Sequence, residues 1–288
     1  MDRCWKRGRG GERTRLRLIE RVSSLRVCQA SYDANAAGYA RHLDPTLAPA
    51  VERLVELAGA RRGVRLLDLA TGTGAAARAA ARLGAEVVGV DLSPGMLAVA
   101  RELSPDLDLR VADAHALPFE AGEFDAVTCG LSVSHFGAPY DALREALRVL
   151  CEDGRFAASA WGGGNSTPSC AAVIDLLKRY GASQTGYRLD EETWFDVEKG
   201  SEVLRRAGFA AVCAQTERFS GSFADAEEAL EWALSWPCAA ARLAQVDPAD
   251  RGALTMEARA AVARTDLAWR FVFNFYLAQR PASFAGSR

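Results

Sequence analysis

The chain has 288 residues, 49% of them hydrophobic and 25% charged, with a formal net charge of −2. That is the composition of an ordinary soluble protein, long enough for one large domain or a domain with a cap. No apolar run reaches the ~18 residues that a membrane helix needs, so no membrane insertion is expected.

Residues 1–26 carry nine Lys/Arg against three Asp/Glu, a net +6 arm that leaves the remainder at −8. The arm lacks the apolar core of a secretory signal. It is expected to be a basic, disordered or loosely helical extension over residues 1–30, and no nucleic-acid partner is read into it. The folded part is expected to start near SYDANAAGYARHL and to fill residues 31–288.

Residues 45–58 place apolar side chains at helical spacing. GVRLLDLA then reads as a buried strand, followed by a loop of small residues and a helix from Gly74 to Leu83. AEVVGVDL is a second strand ending in Asp91. SPGMLAVARELS is a helix with Ser93 as N-cap and proline at its first position. LDLRVADA is a third strand ending in Asp113, and EFDAVTCGL a fourth. PYDALREALRVL is a helix closed by the turn Glu152-Asp153-Gly154, and GRFAASAWG a fifth strand. GGGNSTPS reads as a flexible link. Helices are expected over 170–181 and 198–208, a sixth strand over AAVCAQTERF, helices over 224–246 and 250–266, and a last aromatic strand, WRFVFNFYLAQR.

Strands alternating with helices at this spacing predict an α/β fold, a Rossmann-like seven-stranded mostly parallel sheet with helices on both faces. The cofactor-binding core is expected over about 45–161. Helices over about 165–208 and 224–266 are expected to form a cap or lid near the C-terminus. Ligands of such sheets bind beyond the carboxyl ends of the strands, where Asp68, Asp91, Asp113 and the Cys129–His135 segment all fall.

Gly72, Gly74 and Ala77 fit the dinucleotide pattern G-x-G-x-x-G/A. Asp68 argues against a pyrophosphate there, because a carboxylate a few ångströms away repels an anion by ~1 to 4 kcal/mol. A cofactor carrying an ammonium and a sulfonium reverses that sign. Taken singly, Asp68 also reads as a turn cap, Asp91 as a helix-start residue, Asp113 as a strand-end turn residue and His135 as a structural histidine. Trp232 and Trp236, four apart, read as core or as the wall of an apolar pocket. The seven cysteines form no C-x-x-C pair and the three histidines show no ligand spacing, so free thiols, a cytoplasmic location and no metal are expected.

DLATGTG (68–74) resembles the D/E-x-G-x-G-x-G motif of class I S-adenosylmethionine-dependent methyltransferases, in the form seen in the ubiquinone/menaquinone methyltransferase type, with Ala70 at the first glycine. VVGVDLSPGMLAVAR (87–101), VADAHALPFEAGEFDAVTCG (111–130), ALREALRVLCEDGRFAASAW (142–161) and VLRRAGFAAV (203–212) resemble that family's later motifs in order. The resemblance covers about 45–215 and implies S-adenosyl-L-methionine as cofactor. It implies that Asp68, Ala70, Gly72 and Gly74 line the methionine part, with hydroxyl contacts from Thr71 and Thr73. Asp91 would hold the ribose hydroxyls, with Leu92 and Met96 beside the adenine. Asp113 would reach the adenine amino group, helped by the Ala114 backbone, and Cys129 would sit beside the sulfonium. Tyr32 and Tyr39 resemble N-terminal tyrosines that close over the cofactor. His135, just after the fourth strand, is the candidate base or substrate ligand.

The expected activity is methyl transfer to an O or C atom of a fairly apolar small molecule, such as a quinone, lipid or specialised metabolite. The partner is then a small-molecule methyl acceptor, with a homodimer left open. The alternatives are a nicotinamide-dependent oxidoreductase and a non-catalytic S-adenosylmethionine-binding protein.

Overall fold

The computed structural model describes residues 27–182 and 191–282. Residues 1–26, most of the expected basic extension, lie outside them. Residues 27–30, expected to belong to that extension, are instead the start of a helix, α1 (27–38). A π-helical turn, Tyr39–Leu43, joins it to α2 (Asp44–Ala58). That helix buries Leu47, Ala50, Leu54 and Val55 on one side, as the helical spacing predicts.

The alternation that follows is the one read from the sequence. β1 (Arg65–Leu69), α3 (Ala75–Arg82), β2 (Glu86–Asp91), α4 (Pro94–Leu103), β3 (Asp108–Val111), β4 (Phe124–Gly130), α5 (Pro139–Val149) and β5 (Leu150–Trp161) come in chain order. Then come α6 (Pro168–Arg179), α7 (Glu191–Phe195), α8 (Val197–Ala207) and β6 (Ala210–Ser222). α9 (Ala226–Leu234), α10 (Pro237–Leu243), α11 (Arg251–Val262) and β7 (Ala268–Gln279) complete the chain. The sheet order is β3-β2-β1-β4-β5-β7-β6, with seven strands. β7 alone runs against its neighbours. The order reverses at β1, where β4 lies on the side away from β2, and there the carboxyl ends of the strands leave a crevice.

Both faces of the sheet are covered. Leu54, Ala80, Val173, Trp232 and Leu254 pack with Phe271, Phe273 and Phe275 on one face. Leu147, Trp194 and Leu204 pack with Phe156 and Tyr276 on the other. The aromatic run of β7 is thus a strand packed on both sides.

Four local expectations are corrected. The turn at 152–154 lies inside β5, where a register shift against β4 and Asp153 at φ 60° absorb the extra residues. The GGGNSTPS link is pinned rather than loose. Gly162 N–H donates to Val272 O at 2.7 Å, Val272 N–H to Asn165 Oδ1 at 2.7 Å, and Ser166 bridges to Arg270. The helix read over 224–246 is broken into α9 and α10, because Pro237 lacks an N–H and holds Trp236 in an extended conformation at ψ 130°. The expected cap is not one body. α6 belongs to one face of the sheet and α8 to the other, while α9 and α11 pack on α6. Among the described residues, no helix is long and apolar enough to cross a membrane.

Candidate active site

The ends of β1, β2 and β3 each deliver one carboxylate to a single cavity. Asp68 lies at the end of β1, where its side chain is almost wholly buried. Thr71 Oγ1 donates to its Oδ2 at 2.5 Å and Thr128 Oγ1 to its Oδ1 at 2.7 Å. Burial dominates these bonds and pushes the Asp68 carboxyl up to about 6. Asp91 ends β2 and accepts Gly72 N–H and Ser93 N–H, each at 2.8 Å. Its carboxyl is also raised by burial, with those N–H bonds opposing. The Asp91 bond fixes the loop, since Gly72 stands at φ 57° and presents its N–H to the next strand's acid. A Cβ at Gly72 would meet no protein atom within 4 Å; the missing side chain leaves open cavity rather than packing. Ala70, in place of the family's glycine, adopts φ 56° all the same.

Thirteen of the fifteen residues singled out from the sequence line this cavity. Thr71 and Thr73 spend their hydroxyls on protein, Thr71 on Asp68 and Thr73 on Asp44 Oδ2 at 2.7 Å. Leu92, Met96 and Ala114 lie on the wall with Asp91 and Asp113. Two expectations are corrected. Gly74 is not on the wall; at φ 80° it is the N-cap of α3 and turns the chain into the helix. Cys129 does not face the cavity. Side chains alternate along β4, so Thr128 reaches Asp68 while Cys129 packs with Val127 in the core of one face. Burial raises the Cys129 thiol well above its ordinary range.

His135 follows β4 in a short turn, Val133–His135. Its Nδ1 is 3.5 Å from Cys28 Sγ and its Nε2 3.5 Å from Tyr32 Oη, with the Tyr32 ring edge-on at 5.6 Å. Loss of water lowers the imidazole to about 4, so it is neutral at pH 7. Cys28 is pushed up to about 12 and stays a thiol.

Trp236, expected as core or as the wall of an apolar pocket, is on the wall, beside residues that carry no sequence signal. Trp161 ends β5 and Trp236 opens α10; their rings meet at 5.6 Å, with Phe271 and Phe273 behind Trp161. Trp232 is core, which separates the two tryptophans that sequence spacing could not. Leu131 adopts φ 54°, held by bonds from its N–H to Ser159 O and Oγ. Asp33 of α1 accepts from Ser93 Oγ at 2.5 Å and Gly95 N–H at 2.8 Å, and Gln29 donates to Leu92 O. Asn35 donates to Ser235 O across the cavity's other rim. So α1 covers the site; among the described residues of the expected cap segments, only Trp236 reaches its wall. Long-range pairs of this kind leave no periodic signal.

Asp44, Asp68, Asp91 and Asp113 stand on the wall, and among the described residues no Lys or Arg does. This repels a diphosphate and suits a ligand with hydroxyls and a cationic head. The residues present therefore fit S-adenosylmethionine. Asp91 keeps acceptor capacity beyond its two backbone bonds, as two vicinal hydroxyls require. Asp68 offers a buried negative charge, as an ammonium requires. No cluster of three or more metal-ligating side chains occurs among the described residues.

Comparison with known proteins agrees. Residues 67–158 match the family described as a methyltransferase domain. A demethylmenaquinone methyltransferase of Beutenbergia cavernae is 39% identical over 169 residues, covering 54% of this chain and 69% of that protein. The YcgJ protein of Bacillus subtilis shares the fold at a TM-score of 0.53 and 18% identity, covering 80% of this chain and 97% of that one. Phosphoethanolamine N-methyltransferase 2 of Haemonchus contortus, solved with S-adenosyl-L-methionine, matches at a TM-score of 0.50 and 22% identity, covering 81% of this chain and 52% of that one. The fold and site are those of a methyltransferase that uses S-adenosylmethionine. The chain belongs to the class I S-adenosylmethionine-dependent methyltransferases, with the motif set of the menaquinone type. It spans between two fifths and just over two thirds of the length of the curated relatives it matches. The nicotinamide alternative finds no support.

Proposed function

We propose that this chain transfers the methyl group of S-adenosylmethionine to an O or C atom of an uncharged, apolar small molecule in the cytoplasm. The observation that carries this reading is the division of one cavity. Carboxylates stand over β1 to β3, and beyond β4 and β5 the wall carries Leu131, Phe136, Trp161 and Trp236 beside Ser132, Ser159 and His135, with no Lys or Arg among the described residues. A wall with no Lys or Arg among the described residues offers no cationic side chain to an anionic acceptor such as a phosphate or a nucleic acid. The relatives named demethylmenaquinone methyltransferase support an aromatic quinol as the acceptor type. The described cysteines form no disulfide with one another, which supports a reducing compartment.

When bound, S-adenosylmethionine supplies the electrophilic methyl; the chain's residues bind, orient and exclude water. Asp68 would meet the ammonium and Asp91 the ribose hydroxyls, and α1 with the turn after it would close the site through Tyr32 and Tyr39. Neutral His135 takes a proton from an acceptor hydroxyl as the methyl is transferred, with Tyr32 and Cys28 setting the ring's orientation. Orientation of this kind supplies up to ~7 to 11 kcal/mol of a barrier.

The test is transfer of isotope-labelled methyl to a panel of neutral phenols and quinols beside carboxylate, phosphate and amine acceptors. Label in the neutral acceptors is expected; turnover confined to charged ones would refute the reading. With an acceptor in hand, His135→Ala is expected to lower kcat by about 10²- to 10⁴-fold. The wild-type rate should show no inflection from His135 between pH 5 and 8, because that group titrates near 4. An inflection near 6.5 that disappears in the variant would contradict its desolvation. Trp236→Ala is expected to raise KM for apolar acceptors by roughly 10- to 100-fold, the loss of ~1.5 to 3 kcal/mol of apolar contact. Affinity for S-adenosylhomocysteine should not change, and a parallel loss of both would move Trp236 to the cofactor half.

A further inference from the structure

Two features outside the chemistry of the cavity meet at its mouth. The first is charge. Residues 1–26 carry nine Lys/Arg against three Asp/Glu, and within them Arg13, Arg15, Arg17 and Arg21 interleave with Leu16, Leu18, Ile19 and Val22. That net +6 leaves the rest of the chain at −8, and the cavity wall is acidic. An anionic partner is therefore repelled by the rest of the chain and drawn by this segment. The second feature is apolar exposure. Val27 opens α1, Leu92 follows β2 and Val111 ends β3, and they stand 38%, 39% and 55% exposed. Gln29 Nε2 donates to Leu92 O at 3.1 Å, and Val111 is the register partner of Asp91, the residue before Leu92. Cys28, Leu92 and Ala112, which belong to or adjoin these three, line the cavity. One edge of the mouth thus shows apolar side chains to solvent, and the basic segment joins the chain at that edge, at Val27.

An apolar edge with a basic segment joined to it matches the layers of an anionic lipid surface. Headgroup phosphates meet the arginines, and apolar side chains enter the boundary beneath them. A nucleic acid would satisfy the arginines and leave Val27, Leu92 and Val111 in water. We propose that the chain adsorbs to an anionic lipid bilayer, without crossing it, through residues 1–26 and the edge of the mouth formed by Val27, Leu92 and Val111. Adsorbed in this way, the mouth opens toward the phase in which an apolar acceptor dissolves. That benefit rests on the acceptor reading above; the adsorption itself does not.

The experiment is cosedimentation of the full chain with vesicles of mixed phosphatidylglycerol and phosphatidylcholine, and with phosphatidylcholine alone, at low and high salt. Binding to the anionic vesicles is expected, weakened by salt, and at least about tenfold weaker to the neutral ones. Arg13→Gln, Arg15→Gln, Arg17→Gln and Arg21→Gln together should lower the partition by at least about 100-fold. Val27→Ser with Val111→Ser should lower it by about three- to thirtyfold. Met256→Ser removes a more exposed apolar side chain, on α11 and off the cavity wall, and should change nothing. Melting curves and affinity for S-adenosylhomocysteine should stay as in the wild type throughout. Equal binding to both lipids, or no loss in the four-arginine variant, overturns the proposal. So does a loss in Met256→Ser as large as in the valine pair, and so does tighter binding to duplex DNA than to the anionic vesicles at the same salt. Methyl transfer to water-soluble acceptors is measured apart from lipid, so its failure would remove the acceptor reading and leave the adsorption standing.

Discussion

Asp68→Asn is expected to stabilise the folded chain at pH 7 and, in the same protein, to weaken cofactor binding. The carboxyl is buried and its pKa is raised from 3.8 to about 6, chiefly by loss of water. A raised folded-state pKa means that Asp68 contributes stability below about pH 4, and that this contribution is lost as pH rises through 6. Roughly two units at 1.36 kcal/mol each is ~3 kcal/mol at neutral pH, an upper bound for what the charge costs the apo chain. Asparagine has the same shape. Thr71 and Thr128 hydroxyls can both donate and accept, so the amide finds partners where the carboxylate oxygens did. The melting temperature should rise by a few degrees, and stability should fall less between pH 4 and 6 than in the wild type. S-adenosylhomocysteine should bind about 10- to 100-fold more weakly, since a bond to a charged partner is worth ~1.5 to 3 kcal/mol. Calorimetry and thermal melts read the two effects separately. A destabilised variant would mean that the carboxylate is held by more than the bonds described. Unchanged affinity would detach Asp68 from the ammonium.

Asp91→Ala is expected to lose both properties together. Gly72 N–H and Ser93 N–H each give their bond to this carboxylate, and without it two enclosed donors are left open at ~1 to 3 kcal/mol each. Two ribose hydroxyls lose their acceptor as well, so affinity should fall by more than about 100-fold. Thermal melting should move down, opposite to Asp68→Asn. The contrast is the informative result: two strand-end carboxylates, both raised by burial, differ in what they hold. Asp68 is met by two side-chain hydroxyls that an amide can also satisfy and by the Ala77 N–H, Asp91 by backbone N–H groups alone. Binding that survives in Asp91→Ala would remove the ribose assignment.

How much of this was legible before the fold depends on how local the cause is. The period of apolar residues, the Ser93 cap with Pro94 behind it, and the carboxylates at the ends of strands one, two and three are written within about ten residues each. The sequence therefore determined the α/β alternation, the parallel sheet, the cofactor loop and the acids Asp68 and Asp91. Where local signals compete, they misled: helical periodicity over 224–246 hid the break at Pro237, and Glu152-Asp153-Gly154 looked like a turn when pairing with β4 carries the strand through it. Tertiary structure alone decided the rest. Cys129 and Thr128 are neighbours in sequence, and only the sheet's two faces send one to the core and the other to Asp68. α1 closes the cavity through bonds spanning 60 to 200 residues, from Asp33 to Gly95 and from Asn35 to Ser235. Trp161 and Trp236 became one wall for the same reason. A side chain's surroundings are set by whatever distant segment packs against it, and no spacing along the chain records that.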